Sequence, residues 1–241
     1  MESTLDSIGP DTPFRFACDP GVACFNECCR DLNQSLTPYD VLRLKRGLGM
    51  SSRQFLDQYT RRHTGPGSGL PVVTLKPGDP KRLTCPLTTP DGCRVYRDRP
   101  SSCRTYPLVR VLRRSRENSD VREEYRLLRE PHCRGFDAER RQTVHEWTED
   151  QELRPYNAEN DRLLELISLK ASLGSKALPP SLAEQVFTAL YDLDRLRLQI
   201  QDGGLAGMCA ELMEDARGDE VALLRLGVEW VKRLLEMAFA R

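Results

Sequence analysis

The sequence predicts an α+β chain, with a small irregular region of short helices and strands over residues 1–150 and an α-helical region over residues 151–241. Three observations carry this expectation. Eight of the nine cysteines lie before residue 134. The same stretch is dense in arginine, glycine and proline, so it has little apolar surface with which to build a core of its own. Beyond about residue 156, apolar residues recur three and four apart, the spacing that puts them on one face of a helix.

In the first region, Thr37, Pro38 and Asp40 read as an N-cap, a first-turn proline and an acidic third position, with Gly47 placed to end the helix. Ser51 and Gln54 form a capping box, and Phe55, Leu56 and Tyr59 give the helix that follows an apolar side. Glycine and proline between Thr64 and Pro71 predict a loop. Short strands are expected at Val72–Leu75, Tyr106–Leu112 and Val121–Leu128.

In the second region, Leu163, Leu166 and Ile167 begin a helical stripe that Gly174 and Pro179-Pro180 terminate. Ser181 and Glu184 read as another capping box, and Leu182, Val186, Leu190, Leu193 and Ile200 supply a second stripe, so a helical hairpin is expected. Gly203-Gly204 and Gly218 divide what remains into a short helix and a long one, in which Val221, Leu224, Val228, Val231, Leu235 and Ala238 share a face. These stripes predict a helical core packing on itself or on the cysteine region, the alternative being a seam for a second chain.

The 36 basic and 36 acidic residues leave no net charge, which argues against general attraction to nucleic acid or a membrane surface. The start lacks a basic and then apolar leader pattern, and no stretch is apolar for the roughly 18 residues a membrane span needs. The expectation is therefore a cytoplasmic setting in which thiols stay reduced, where clustered cysteines point to metal or redox chemistry rather than to a disulfide framework.

The first cluster is Cys18-x5-Cys24-x3-Cys28-Cys29, the second is Cys85-x7-Cys93-x9-Cys103, and Cys133 follows an arginine-rich insert. Thiolates are strong, soft ligands for zinc and iron–sulfur clusters, and four suffice to close a site, so eight could close two. In an extended segment the side chains of Cys28 and Cys29 would point to opposite faces, so either they serve two centres or only one is a ligand. The spacing lacks the paired C-x2-C knuckles of common zinc ribbons, and Cys85-Pro86 matches the Cys-Pro that ends bacterial ferredoxin runs. Both details favour an iron–sulfur cluster, 4Fe-4S above all, over zinc alone. Arg30, Arg94, Arg104 and Arg134 each follow a cysteine directly, and their charge would offset the roughly two negative charges of a four-thiolate centre. Cys209, far along the chain in an expected helix, reads as a core residue, and His132 as a lesser candidate ligand beside Cys133.

At these residues the chain resembles the bacterial YkgJ-type cysteine-cluster family, a zinc- or iron-chelating domain. The matching stretches are Cys24-Phe-Asn-Glu-Cys28-Cys29, Thr37 to Asp40 opening a helix, Cys85-Pro-Leu, Cys93-Arg-Val-Tyr96 with Arg99-Pro100, Cys103-Arg104-Thr-Tyr106-Pro107 and His132-Cys133-Arg-Gly, with Thr143 to Gln151 as a following short helix. The resemblance spans about residues 16–150 and implies metal binding. The family includes flagellin lysine methylase, which implies an alternative in which the chain modifies protein lysines through its metal centre. No strand and glycine-rich loop that would cradle S-adenosylmethionine accompanies it. Partners on these readings are metal ions and a protein substrate or redox partner. Arg97, Arg99, Arg104 and Tyr106 are read either as packing around the site or as lining an anionic pocket, and the arginine-rich stretch that follows as a solvated strand face rather than a nucleic-acid patch.

Overall fold

The structure is a computed structural model that describes residues 3–30, 33–114, 121–174, 176–203, 205, 208 and 210–239. Its strands form small antiparallel sheets and its helices dominate the C-terminal part, which is the α+β architecture expected.

One sheet joins β1 (Thr4–Ile8), β9 (Val121–Arg129) and β8 (Leu108–Arg114) in the order β1-β9-β8. A second joins β3 (Ser35–Leu36), β5 (Pro71–Leu75) and β4 (Thr60–Thr64) in the order β3-β5-β4. Two short pairs complete the set, β2 (Phe14–Arg15) with β10 (Arg141–Gln142) and β6 (Thr88–Thr89) with β7 (Gly92–Cys93). The expected strands are present with slightly shifted ends. Strand β4 was not foreseen, because Thr-Arg-Arg-His-Thr carries no apolar alternation. Its register with β5 supplies the hydrogen bonds, and β5 supplies the buried face of Pro71, Val73 and Leu75.

Helices α1 (Pro38–Gly47) and α2 (Ser52–Tyr59) begin with the two expected capping boxes, Thr37 with Asp40 and Ser51 with Gln54. After the short helix α3 (Ser101–Thr105) comes α4 (Val144–Asp150), which Thr143 and Glu146 cap in the same way. The C-terminal part holds α5 (Leu153–Ser172), α6 (Pro180–Tyr191), α7 (Leu193–Gly203), α8 (Ala210–Asp215) and α9 (Glu220–Phe239).

Two expectations here need correction. Helix α6 starts on Pro179 and Pro180 without a side-chain cap, so Ser181 and Glu184 do not make a capping box. Proline at the first helical position lacks the N–H that a cap would satisfy and pre-sets the dihedral. The second stripe is also not one helix: the chain breaks at Asp192 (φ −100°, ψ 68°) and α7 restarts at Leu193. Rather than a simple α5–α6 hairpin, α9 packs against α5, α6 and α7. The crossing with α6 is close enough that a Cβ on Gly227 would collide with the Ala189 carbonyl. Cys209 lies outside the described residues.

Two hydrophobic clusters result. The larger runs from Leu36 in β3 through α1, α2 and β5 to Leu235 in α9, and so draws on residues from both sides of position 150. The smaller comprises Phe14, Phe16, Leu108, Leu127, Val144 and Trp147. Phe16 anchors it, meeting Phe136, Trp147 and Tyr106 edge-on with centroids 5.2, 5.4 and 5.8 Å away. Polar ties fasten α9 to the rest of the larger cluster. Buried Lys45 reaches Glu220 and Asp194, Arg46 reaches Glu220 at 2.6 Å, and Arg225 reaches the buried Glu159 of α5 at 2.6 Å. Among the described residues, no helix is long and apolar enough to cross a membrane.

Candidate metal centre

The cysteines collect where the two clusters approach each other. Cys85 and Cys93 pack against the larger cluster and Cys133 against the smaller. All eight N-terminal-region cysteines, Cys18, Cys24, Cys28, Cys29, Cys85, Cys93, Cys103 and Cys133, are free thiols.

Local structure explains each placement. The segment 19–29 descends in consecutive turns, with Val22 N–H donating to Asp19 O, Phe25 to Val22, Glu27 to Cys24 and Cys29 to Asn26. Asn26 takes the left-handed conformation (φ 68°) that asparagine tolerates better than most residues. Its side-chain amide donates to Thr89 O at 3.0 Å, which ties this descent to the β6–β7 hairpin. Cys28 and Cys29 therefore sit in a 3-10 turn, Glu27–Cys29, and not in the extended segment expected from sequence. In such a turn neighbouring side chains diverge by about 120° rather than 180°.

Cys85 is joined directly to this turn, its N–H donating to Cys29 O at 2.7 Å, and the Thr88 N–H returns to Cys85 O at 3.2 Å. Cys93 pairs with Thr88 across β6–β7. Cys103 lies in α3, whose first turn is held by the buried carboxylate of Asp40, which accepts from Ser101 N–H at 2.7 Å while also capping α1 through Thr37 N–H at 2.9 Å. On the other side, Ala17 N–H donates to Gly135 O at 3.0 Å, which lays Cys18 beside Cys133 and Arg134. The Arg134 N–H donates to Cys24 Sγ at 3.0 Å.

Burial raises most of these thiols: Cys18 to about 11, with Cys24 and Cys133 adding to the effect, and Cys103 to about 12, with Cys29, Cys85 and Cys93 adding to it. Cys85, Cys93 and Cys133 are also raised by burial. Cys29 goes the other way, down to about 6, because it accepts a hydrogen bond from Cys28, whose own thiol is pushed far up. Neutral thiols held this close, with burial opposing their ionisation, would gain from a cation that takes up the charge of the thiolates.

Among the described residues four buried hydroxyls lack a hydrogen-bond partner, Ser52 Oγ, Thr88 Oγ1, Tyr106 Oη and Tyr156 Oη, and two of them, Thr88 and Tyr106, lie at the thiols. Thr88 is beside Cys29 and Cys85, and Tyr106 is beside Cys133. A buried unpaired hydroxyl costs about 1–3 kcal/mol, and a metal-bound thiolate is an acceptor able to satisfy it. The donor set, all sulfur with two unpaired hydroxyls at its edge, thus fits a thiophilic metal or an iron–sulfur cluster. Among the described residues no three Cys, His, Asp or Glu side chains already converge on a common point at metal-holding distance. Loading would have to draw the sulfurs together.

The four arginines that follow cysteines are placed differently from one another. Arg30 pairs with Glu27 at 3.2 Å and Arg134 with Asp137 at 2.9 Å, and Arg94 is exposed. Arg104 is buried with its guanidinium on the carbonyls of Arg97, Arg99 and Gln151, stacked 4.7 Å from the Tyr156 ring centre, so it fastens the Arg97–Arg104 segment to the α4–α5 junction. The Arg99 guanidinium bears on the thiols, partly offsetting the rise that burial imposes on Cys18 and Cys93. It is buried, donates to Tyr96 O at 2.6 Å and to Gln151 Oε1, and lies 3.7 Å from the Tyr96 ring centre. Arg99, which the sequence reading places among residues packing around the site or lining an anionic pocket, is not adjacent to a cysteine in sequence. His132 contacts Glu130 at 3.9 Å. In the arginine-rich insert, Arg110 pairs with Asp161 and Glu123, Arg113 with Glu124 and Arg129 with Asp6, which neutralises much of that face.

Eight free thiols lying about the approach of two hydrophobic clusters mark a cysteine-cluster protein of the metal-chelating class. The chain belongs to the CxxCxxCC family, described as a putative zinc- or iron-chelating domain, whose model matches residues 17–142 and so includes all eight cysteines. Neither the curated proteins nor the solved structures contain a match.

Proposed function

We propose that the chain is a metal-binding cysteine-cluster protein in which thiolates of Cys18, Cys24, Cys28, Cys29, Cys85, Cys93, Cys103 and Cys133 hold iron–sulfur clusters in preference to zinc alone, in a structural or electron-transfer role. The observation that carries the reading is the gathering of eight free thiols from four separate stretches of chain, with two unpaired hydroxyls at their edge. When bound, an iron–sulfur cluster supplies one-electron chemistry whose potential is set by hydrogen bonds to sulfur and by solvent access. The chain's own contribution is to hold the thiols at the seam of two cores, to place Arg99 where it offsets their charge, and to keep Thr88 and Tyr106 beside the sulfurs.

Anaerobic purification followed by elemental analysis and a visible spectrum tests this. Iron with acid-labile sulfide and a broad visible absorption supports it, and colourless protein carrying zinc without iron overturns the iron–sulfur preference while leaving metal binding standing. Calorimetry with S-adenosylmethionine on the same sample separates this role from that of a methylase: saturable micromolar binding would shift the reading to the enzyme.

A further inference from the structure

Resting on the metal-binding reading, we propose that the eight thiols are divided between two centres, with Cys29, Cys85, Cys93 and Cys103 at one and Cys18, Cys24, Cys28 and Cys133 at the other. Backbone geometry draws the division. The first group is tied to the Glu27–Cys29 turn and the β6–β7 hairpin: Cys85 N–H donates to Cys29 O, Thr88 N–H to Cys85 O, and Cys93 faces Thr88 in register. Cys103 joins it from α3, its thiol within electrostatic reach of Cys29, Cys85 and Cys93. The second group is tied to the chain following β9: Ala17 N–H donates to Gly135 O beside Cys18, and Arg134 N–H donates to Cys24 Sγ beside Cys133.

The adjacent cysteines fall on the dividing line. Cys29 is tied to the first group by the Cys85 N–H on its carbonyl, and Cys28, which is in reach of both Cys18 and Cys103, is assigned to the second as its fourth ligand. The packing follows the same line, Cys85 and Cys93 lying against the larger hydrophobic cluster and Cys133 against the smaller. Each group also has one unpaired buried hydroxyl, Thr88 Oγ1 for the first and Tyr106 Oη for the second. A single shared centre would give no reason for this duplication, whereas two thiolate centres each use one donor to sulfur.

Thiol protection tests the division without knowledge of the metal, because a metal-bound thiolate resists alkylation. Full-length protein, loaded anaerobically, is alkylated and mapped by mass spectrometry, as are Cys93→Ser and Cys133→Ser. The expected result for Cys93→Ser is labelling of Cys29, Cys85 and Cys103 with the other four protected and metal content halved. Cys133→Ser should show the reciprocal pattern, with Cys18, Cys24 and Cys28 labelled. If both variants keep their helical circular dichroism and expose all seven remaining cluster thiols, or expose a different set of three, the division is overturned. Should a variant lose its helical signal, a graded chelator titration of the parent decides: release in two groups of four supports the division, and one release of eight overturns it. A parent that retains no metal and labels at all eight positions refutes the metal-binding reading itself.

Discussion

Gly135→Ala perturbs the contact on which the second group of thiols depends. A Cβ at this position would stand 2.6 Å from Ala17 O and 3.0 Å from Phe16 Cδ2. The Phe16 ring cannot swing away, because it is buried and held edge-on by Tyr106, Phe136 and Trp147. The segment Cys133–Asp137 must therefore move off the segment Phe16–Cys18. Overpacking of this kind costs about 1–3 kcal/mol, and losing the Ala17–Gly135 backbone hydrogen bond adds about 1 kcal/mol, so about 2–4 kcal/mol is expected. Urea denaturation followed by Trp147 fluorescence in a Trp230→Phe background measures it, and thiol mapping on loaded protein should show Cys18, Cys24 and Cys133 newly labelled. A variant within about 0.5 kcal/mol of its parent, with all eight thiols protected, would show that this glycine does not position the site.

Other perturbations have separable outcomes. Gly227→Ala should destabilise by about 1–3 kcal/mol through the α6–α9 crossing, measured by thermal denaturation, and leave the metal content unchanged. Arg104→Met removes the donors to the carbonyls of Arg99 and Gln151 and one of the two to Arg97, and should cost about 2–4 kcal/mol, with Arg104→Lys recovering only part because an ammonium lacks the fork. Burial alone would raise the Glu220 carboxyl, but hydrogen bonds from Lys45 and Arg46 bring it below its ordinary 4.5. A depressed carboxylate stabilises above its unfolded value and loses that contribution as pH falls through the folded one, so the melting temperature should drop below about pH 4.5, and Glu220→Gln should flatten that drop.

Helix starts were legible because their signals are local. Thr37 with Asp40 and Ser51 with Gln54 each satisfy orphan N–H groups within four residues, so nothing distant can override them, whereas the Thr143–Glu146 box went unread and its helix was expected only from the family resemblance. Ser181 with Glu184 carries the same letters and fails, because Pro179-Pro180 just ahead of it already starts the helix. Strand β4 was invisible for the opposite reason: its hydrogen bonds come from another strand, β5, across a connecting loop, and its own side chains are largely exposed. The eight cysteines could be picked out from residue type and clustering. Arg99, Thr88 and Gly135 could not be picked out for their roles beside the sulfurs, since those roles arise from the return of separate chain segments past one another.

The two tryptophans offer a test of what the cysteines do for the fold, because Trp147 belongs to the smaller cluster and Trp230 to the larger. The larger cluster is built from long helices whose apolar faces cover one another, and fully buried side chains such as Leu166, Val186, Leu223, Val231 and Leu235 contribute about 1.5–3 kcal/mol each. The smaller has only six buried residues, Phe14 and Phe16 in or beside the two-residue β2, one each from β8 and β9, and two from the short helix α4. Its polar ties to the rest include Trp147 Nε1–H on Thr105 O at 3.2 Å and the Arg104 carbonyl clamp. Thiolates drawn from both sides of the seam would staple the smaller cluster to the larger. In single-tryptophan variants, Trp147→Phe and Trp230→Phe, anaerobic chelation should therefore lower the urea midpoint reported by Trp147 well below that reported by Trp230, while far-ultraviolet circular dichroism keeps most of its helical signal. If chelation shifts both midpoints equally, the metal stabilises the chain as one unit and the two clusters are not separable. If it shifts neither, the thiols hold their positions through packing alone, and the staple plays no part in the fold.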